Sequence, residues 1–171
     1  MKKTVLSQLA REDAFNLIGK EWMLVTAGTL EHYNTMTASW GGIGWLWNKP
    51  VAFVFIRPER FTHQFIEENE RMTLSFLGEA HRDILNFCGS KSGRDHDKAK
   101  ETGLQPVKTE LGCVAFQQAR LTLEGRKLYK SAFKAENFLD KAALERWYND
   151  KPGGSLHDVY VVEIENVYTA E

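Results

Sequence analysis

The chain has only two cysteines, Cys88 and Cys113, in 171 residues, so no disulfide framework organises it. It has no surplus of positive charge: 22 Lys and Arg face 23 Asp and Glu, a formal net charge of −1. That balance excludes a general binder of nucleic acid or anionic membranes and leaves room for a local basic patch. No stretch approaches the roughly 20 apolar residues of a spanning helix. The opening MKKTVLSQLARED carries two lysines but no apolar run for a signal peptide. A cytoplasmic protein with no membrane attachment is expected. His32, His63, His81, His96 and His157 show no metal-ligand spacing among themselves or with the cysteines, so no metal site is expected. Gly41-Gly42-Ile43-Gly44 lacks the spacing of a dinucleotide fingerprint and leads into no helix. No serine sits in a GxSxG or another recognisable nucleophile motif. Repeats, low-complexity tracts and interior linkers are missing as well. What remains is an ordinary globular composition, 43% apolar, expected to form a single domain over residues 1–171.

The pattern of apolar residues points to a mainly β protein with peripheral helices. Residues 22–27, 34–40, 51–57 and 71–77 read as strands, and 51–57, VAFVFIR, is apolar on both faces. Residues 112–124 alternate at their end, Gly125 is expected to break the run, and 126–133 to continue as a partner strand. Residues 158–168 close the chain with Tyr160, Val162 and Ile164 on one face. Short helices are expected over 7–17, from Pro58 to about Asn69, over 81–87, over 95–101 stopped by Gly103, and over 137–148. Lys49-Pro50 is a turn signal. About seven strands with few helices between them fit an antiparallel barrel better than a doubly wound sheet.

Residues 34–62, NTMTASWGGIGWLWNKPVAFVFIRPERFT, concentrate the chemistry. Strand alternation puts Thr35, Thr37 and Ser39 on one face and Met36, Ala38 and Trp40 on the other. The hydroxyl row has two readings, a set of donors and acceptors for a heterocycle edge or phosphate, and a solvated strand face. Trp40, Trp45 and Trp47 flank glycines that permit a bulge or a close backbone approach. Five Trp in this length fill a small β core or wall a flat ligand. Arg57, Arg60 and Thr62 fall where a strand ends and a helix starts, where free N–H groups and guanidiniums favour an anion; the plain alternative is an ion pair with Glu59, Glu67 or Glu68. A second basic loop, Cys88-Gly89-Ser90-Lys91-Ser92-Gly93-Arg94-Asp95, has the small residues of an anion-binding nest or of a solvated helix cap. Cys88 beside it is either a thiol of lowered pKa or a small buried apolar side chain. Nothing in the sequence brings the two basic segments together.

These segments, taken in series, resemble the flavin reductase-like, FMN-binding split-barrel family, flavoredoxin type. The likeness runs through Asn34 to Gly41, Lys49-Pro50, Arg57-Pro58-Glu59-Arg60-Phe61-Thr62, Ser75-Phe76-Leu77, the Cys88 to Asp95 loop and His157-Asp158-Val159-Tyr160. The resemblance implies a six-stranded antiparallel Greek-key split barrel, a homodimer and a non-covalent FMN near the dimer interface. It assigns Met36, Thr37, Ala38, Ser39 and Trp40 to the ring and ribityl side. It assigns Arg57, Arg60, Thr62, Cys88, Gly89, Lys91, Ser92 and Arg94 to the phosphate side. His157 matches a histidine that some flavin reductases place near the nicotinamide, but it follows Ser155-Leu156 where many relatives have Gly-Asp. The chemistry would lie on the flavin, with no catalytic side chain required. Three functions are expected to compete: electron transfer from NADH or NADPH through FMN to an acceptor, a flavoredoxin-like carrier reduced by a partner protein, and a non-catalytic flavin-binding module.

Overall fold

The computed structural model describes residues 1–149 and 154–170. The chain opens with β1 (Lys2–Thr4), a 3-10 turn over Leu6–Arg11, and α1 (Ala14–Asn16), which widens into a π-turn over Leu17–Glu21. The single helix expected over 7–17 is therefore broken. Asp13 takes an extended cap conformation and its carboxylate accepts the N–H groups of Phe15 and Asn16, ending one helical turn and starting the next.

Two hairpins follow: β2 (Met23–Thr29) with β3 (His32–Ala38), and β4 (Gly41–Leu46) with β5 (Lys49–Ile56). The glycine-rich stretch is thus a strand, and Gly41 does meet a close backbone approach: a Cβ there would lie 2.9 Å from the Phe53 carbonyl oxygen. The second turn is not at Lys49-Pro50. It sits at Trp47 and Asn48, with φ of 51° and 58°, the left-handed pair that joins right-twisted strands in a two-residue turn. Pro50 fits β5 because pairing with the final strand starts only at Val51.

Next come α2 (Phe61–Glu68), β6 (Arg71–Phe76), α3 (Arg82–Ser90), α4 (Lys98–Thr102), β7 (Pro106–Lys108), β8 (Val114–Phe116), β9 (Leu121–Ala132), α5 (Lys141–Tyr148) and β10 (Asp158–Thr169). Helix starts fall later than expected because other residues cap them. Arg60 precedes α2, leaving Pro58 in the turn before it, while Asp97 caps α4 and Asp140 caps α5 through their carboxylates. Gly103, at φ 73°, ends α4 as expected. Ten strands are present among the described residues against about seven expected; three-residue β1, β7 and β8 are too short to show a period.

The main sheet runs β3-β2-β6-β9-β10-β5-β4, with β1 added on β10 and β7 paired separately with β8; every pairing is antiparallel. β5 and β6 are consecutive in the chain but separated in the sheet by β9 and β10, a Greek-key crossover carried by α2. Six strands wrap one core: Val25, Met36, Val54, Leu74, Leu123 and Val162 come from β2, β3, β5, β6, β9 and β10 and belong to one buried cluster. The end strands β3 and β4 do not pair, although only Ser39 and Trp40 separate them, and the barrel is split there.

β9 corrects one expectation. It runs unbroken through Gly125, and its bulged pairing with β10 brings the chains together where a Cβ on Gly125 would lie 2.4 Å from the Glu163 carbonyl oxygen. Its polar face is also not solvated: Thr122 and Glu124 are as buried as Leu121 and Leu123. Glu124 keeps its charge under cover by accepting from the Thr109 hydroxyl, from Asn166 Nδ2 at 2.9 Å and from the Tyr168 hydroxyl at 2.7 Å. A second cluster, including Leu24, Leu85, Cys88, Ala99 and Phe116, packs α3 and α4 on the outside of the barrel next to β3. No helix among the described residues is long and apolar enough to cross a membrane.

Candidate functional site

The split between β3 and β4 gathers some of the expected ligand residues, while Thr62, Cys88, Gly89, Lys91, Ser92 and Arg94 lie outside the cavity's lining. A cavity of about 190 Å³ is lined by the whole stretch from Met36 to Trp40, by Arg57 and Arg60, and by Phe55 and His157. A second, more apolar hollow of about 490 Å³ shares Ser39, Trp40 and Phe55 with it and continues along Ile18, Ile43 and Phe15. Together they reach the size of ordinary ligand clefts, roughly 300–1,000 Å³.

The hydroxyl row is largely spent on the fold. Thr35 is buried and shares a 2.8 Å hydrogen bond with Thr26, while Thr37 donates to the Leu85 carbonyl and so holds α3 against β3. Met36 faces the core. Trp40 is the tryptophan that meets the cavity; Trp45 and Trp47 are exposed elsewhere on the β4–β5 hairpin.

At the basic end the structure joins what the sequence left apart. Arg60 Nη2 donates to the Gly89 carbonyl at 3.0 Å, tying the α2 start to the end of α3. Asn34 Nδ2 donates to the Thr62 hydroxyl at 2.8 Å, and Gly93 lies so close that a Cβ would meet Asn34 Oδ1 at 2.0 Å. The Arg94 guanidinium lies 4.7 Å over the Phe61 ring. Lys91 and Arg94 are exposed, and the Ser92 hydroxyl accepts the Arg94 N–H. Thr62 and Cys88 are fully buried, so their side chains brace the loops. Burial pushes the Cys88 thiol up to about 11, which rules out a thiolate of lowered pKa. Arg57 donates to the Trp147 carbonyl at 2.6 Å and stands 3.8 Å from Glu59, the looser form of the ion pair foreseen for it.

The sequence profile of the flavin reductase-like domain matches residues 15–171. The chain belongs to that family. No curated protein matches it. Among solved structures, the flavoredoxin of Desulfovibrio vulgaris (Miyazaki F) is similar at a TM-score of 0.68 and 21% identity, over 100% of this chain and 78% of that one. The flavoredoxin of Methanosarcina acetivorans gives 0.68 and 20%, over 88% and 69%. The FMN-binding protein of Thermus thermophilus, with bound p-hydroxybenzaldehyde, gives 0.67 and 23%, over 86% and 70%. At these identities the likeness establishes the fold, an FMN-binding-type split barrel.

Several residues of this flavin reductase-like domain escaped the sequence reading. Lys98 is buried and its ammonium donates to the carbonyls of Thr35 and Cys88, both at 2.8 Å, clamping β3 to α3; in sequence it is one more lysine on a polar helix. Phe55 looked like plain strand core. Tyr148 reaches the site only because α5 folds back over it, its hydroxyl 2.8 Å from His157 Nδ1.

His157 is 8% exposed. Burial first, then Arg57 with Arg60 adding and Glu59 opposing, holds its imidazole down at about 4 instead of 6.5. Between those two pH values the unfolded chain carries a proton on this ring that the fold does not. Stability is therefore expected to fall as pH drops from 6.5 and to level off near 4, with a slope from this ring of at most about 1.4 kcal/mol per pH unit. Urea unfolding across that window checks it: His157→Gln should flatten the slope, and an unchanged slope assigns it to other groups.

Proposed function

We propose that this chain binds FMN non-covalently in the cleft at the split and acts as an NAD(P)H:flavin-type oxidoreductase. The observation that carries this reading is the division of the cleft into an apolar aromatic length and a cationic end. Phe15, Ile18, Ile43, Phe55 and Trp40 line the first; Arg57 and Arg60 stand at the second. A flat heterocycle with a phosphate tail matches both. Burial lowers the Arg60 pKa below the ordinary arginine value, so this cation has lost water and gains from an incoming anion. Met36, Thr37, Ala38, Ser39 and Trp40 would hold the ring and ribityl side. Arg60, with Arg57 and the Gly89 to Arg94 loop, would hold the phosphate; Thr62 and Cys88 support those segments from behind.

When bound, FMN supplies the two-electron chemistry. The protein's own residues orient it, keep water from its apolar side and place donors at its edge. No dinucleotide fingerprint is present in the sequence, so NADH or NADPH would stack briefly on an exposed flavin face. A second copy of the chain is the proposed partner. The open edge strand β4, with Trp45 65% exposed and Phe15 90% exposed beside the cleft, supports a homodimer, to be checked by sedimentation.

Purified protein is expected to be yellow or to take up added FMN, and stopped-flow mixing with NADH or NADPH to bleach it. A preparation that cannot take up FMN removes the redox reading altogether. Bound FMN that neither nucleotide reduces would turn the assignment to an electron carrier reduced by a partner protein.

A further inference from the structure

The geometry points to Tyr148 as a positioning residue: its hydroxyl donates to Nδ1 of His157 and so fixes the imidazole with a proton on Nε2, presented to the cavity as a neutral donor. This rests on the flavin reading of the same cleft and adds to it a group that tells oxidised from reduced ligand.

His157 lines the cavity, and its Nδ1 stands 2.8 Å from the Tyr148 hydroxyl. Among the described residues Nε2 has no hydrogen-bond partner, and it keeps some accessible surface on a ring that lines the cavity. Burial comes first in keeping the ring neutral, and among the described residues Arg57 and Arg60 add to it while Glu59 opposes. A neutral imidazole carries one N–H and one lone pair. Among the described residues the Tyr148 hydroxyl has no other acceptor, and a phenol O–H paired with an imidazole lone pair is the stronger of the two arrangements. The proton therefore sits on Nε2.

The rest of the cluster holds Tyr148 in that position. The Arg57 guanidinium lies 5.1 Å from its ring centroid and donates to the carbonyl of neighbouring Trp147. Trp147 meets Trp40 edge-on at 5.3 Å, and Trp40 lies 5.3 Å from His157. α5 has no fully buried residue, so these contacts dock its C-terminal end on the cleft. With Nε2–H in place, His157 joins the two guanidiniums as a pure donor. Such an edge favours a ligand bearing more negative charge, and flavin gains electron density on reduction.

The test begins with ¹⁵N–¹H spectra of the ligand-free protein. Wild type is expected to show His157 protonated at Nε2 with Nδ1 accepting, and Tyr148→Phe to lose that single tautomer. Near-UV dichroism of Trp40 and Trp147 should persist in the variant, showing that α5 is still docked. Anaerobic titration should then show Tyr148→Phe weakening reduced FMN by about 5- to 20-fold while oxidised FMN changes less than about twofold. A wild-type ring protonated at Nδ1, or a tautomer indifferent to Tyr148→Phe, overturns the inference. Equal weakening of both flavin states overturns the discriminating role. If wild type binds no FMN, the flavin reading fails, and the tautomer still decides the role of Tyr148.

Discussion

Replacing Arg60 by alanine is expected to weaken FMN binding by about 1.5–3 kcal/mol, roughly 10- to 150-fold, and to leave riboflavin within about twofold. The size follows from the state of the guanidinium. It is largely withdrawn from water and its Nη2 is committed to the Gly89 carbonyl; Glu59 favours its charge and Arg57 opposes it, and burial outweighs both. A phosphate would relieve the cost of burial through charge-assisted hydrogen bonds, and riboflavin has none to offer. Arg60→Lys should fall between wild type and alanine, because it keeps the charge and loses the planar fork that can reach Gly89 and a ligand together. Calorimetric titration of both ligands distinguishes the two jobs of this side chain. Loss for FMN alone assigns phosphate recognition. Equal loss for riboflavin assigns Arg60 to loop positioning only.

The second large effect concerns stability. Gly125→Ala is expected to destabilise the fold by about 2–4 kcal/mol. The new Cβ would stand 2.4 Å from the Glu163 carbonyl oxygen and 2.7 Å from Val162 Cγ1. The first obstacle is backbone in β10, so no rotamer change relieves it. The strands must part at their bulge, next to the buried carboxylate of Glu124, whose partners Asn166 and Tyr168 lie on β10. Gly103→Ala is the control. That position has φ +73° and nothing within 4 Å of a Cβ, so only conformational strain is added, about 1 kcal/mol. Urea denaturation of both variants should separate them clearly. Similar losses would mean that the bulge yields and that β9 and β10 are less tightly joined than the geometry requires.

Gly125 also illustrates where sequence reasoning fell short. A glycine inside an alternating run reads as a break, and a break makes two strands. Here it marks the closest approach within one long strand, a fact set by Glu163, far away in the chain. The same holds for Thr122 and Glu124. Their alternation with Leu121 and Leu123 is legible, but the β7–β8 layer carrying Thr109 covers the face that a lone sheet would leave wet. The turn at Trp47-Asn48 went unread because Trp47 is not a usual turn former and the adjoining Lys49-Pro50 carries the stronger local signal.

The candidate site divides along the same line. The sequence by itself determined most of the longer strands, the placing of Met36 to Ala38 on one of them with Ser39 and Trp40 just past its end, the pairing of Arg57 and Arg60 before a helix, and the likeness to the flavin reductase-like family. These are local patterns of side-chain period and residue type, and they survive folding. Only the tertiary structure decided which polar groups are already paired within the fold. The Thr37 hydroxyl is taken by Leu85, 48 positions away; Thr62 by Asn34, 28 away; Lys98 by Thr35, 63 away. It also brought Gly89 to Arg60 and Tyr148 to His157. The physical reason is that every buried donor and acceptor must find a partner, and the partner is chosen by chain packing across the whole barrel.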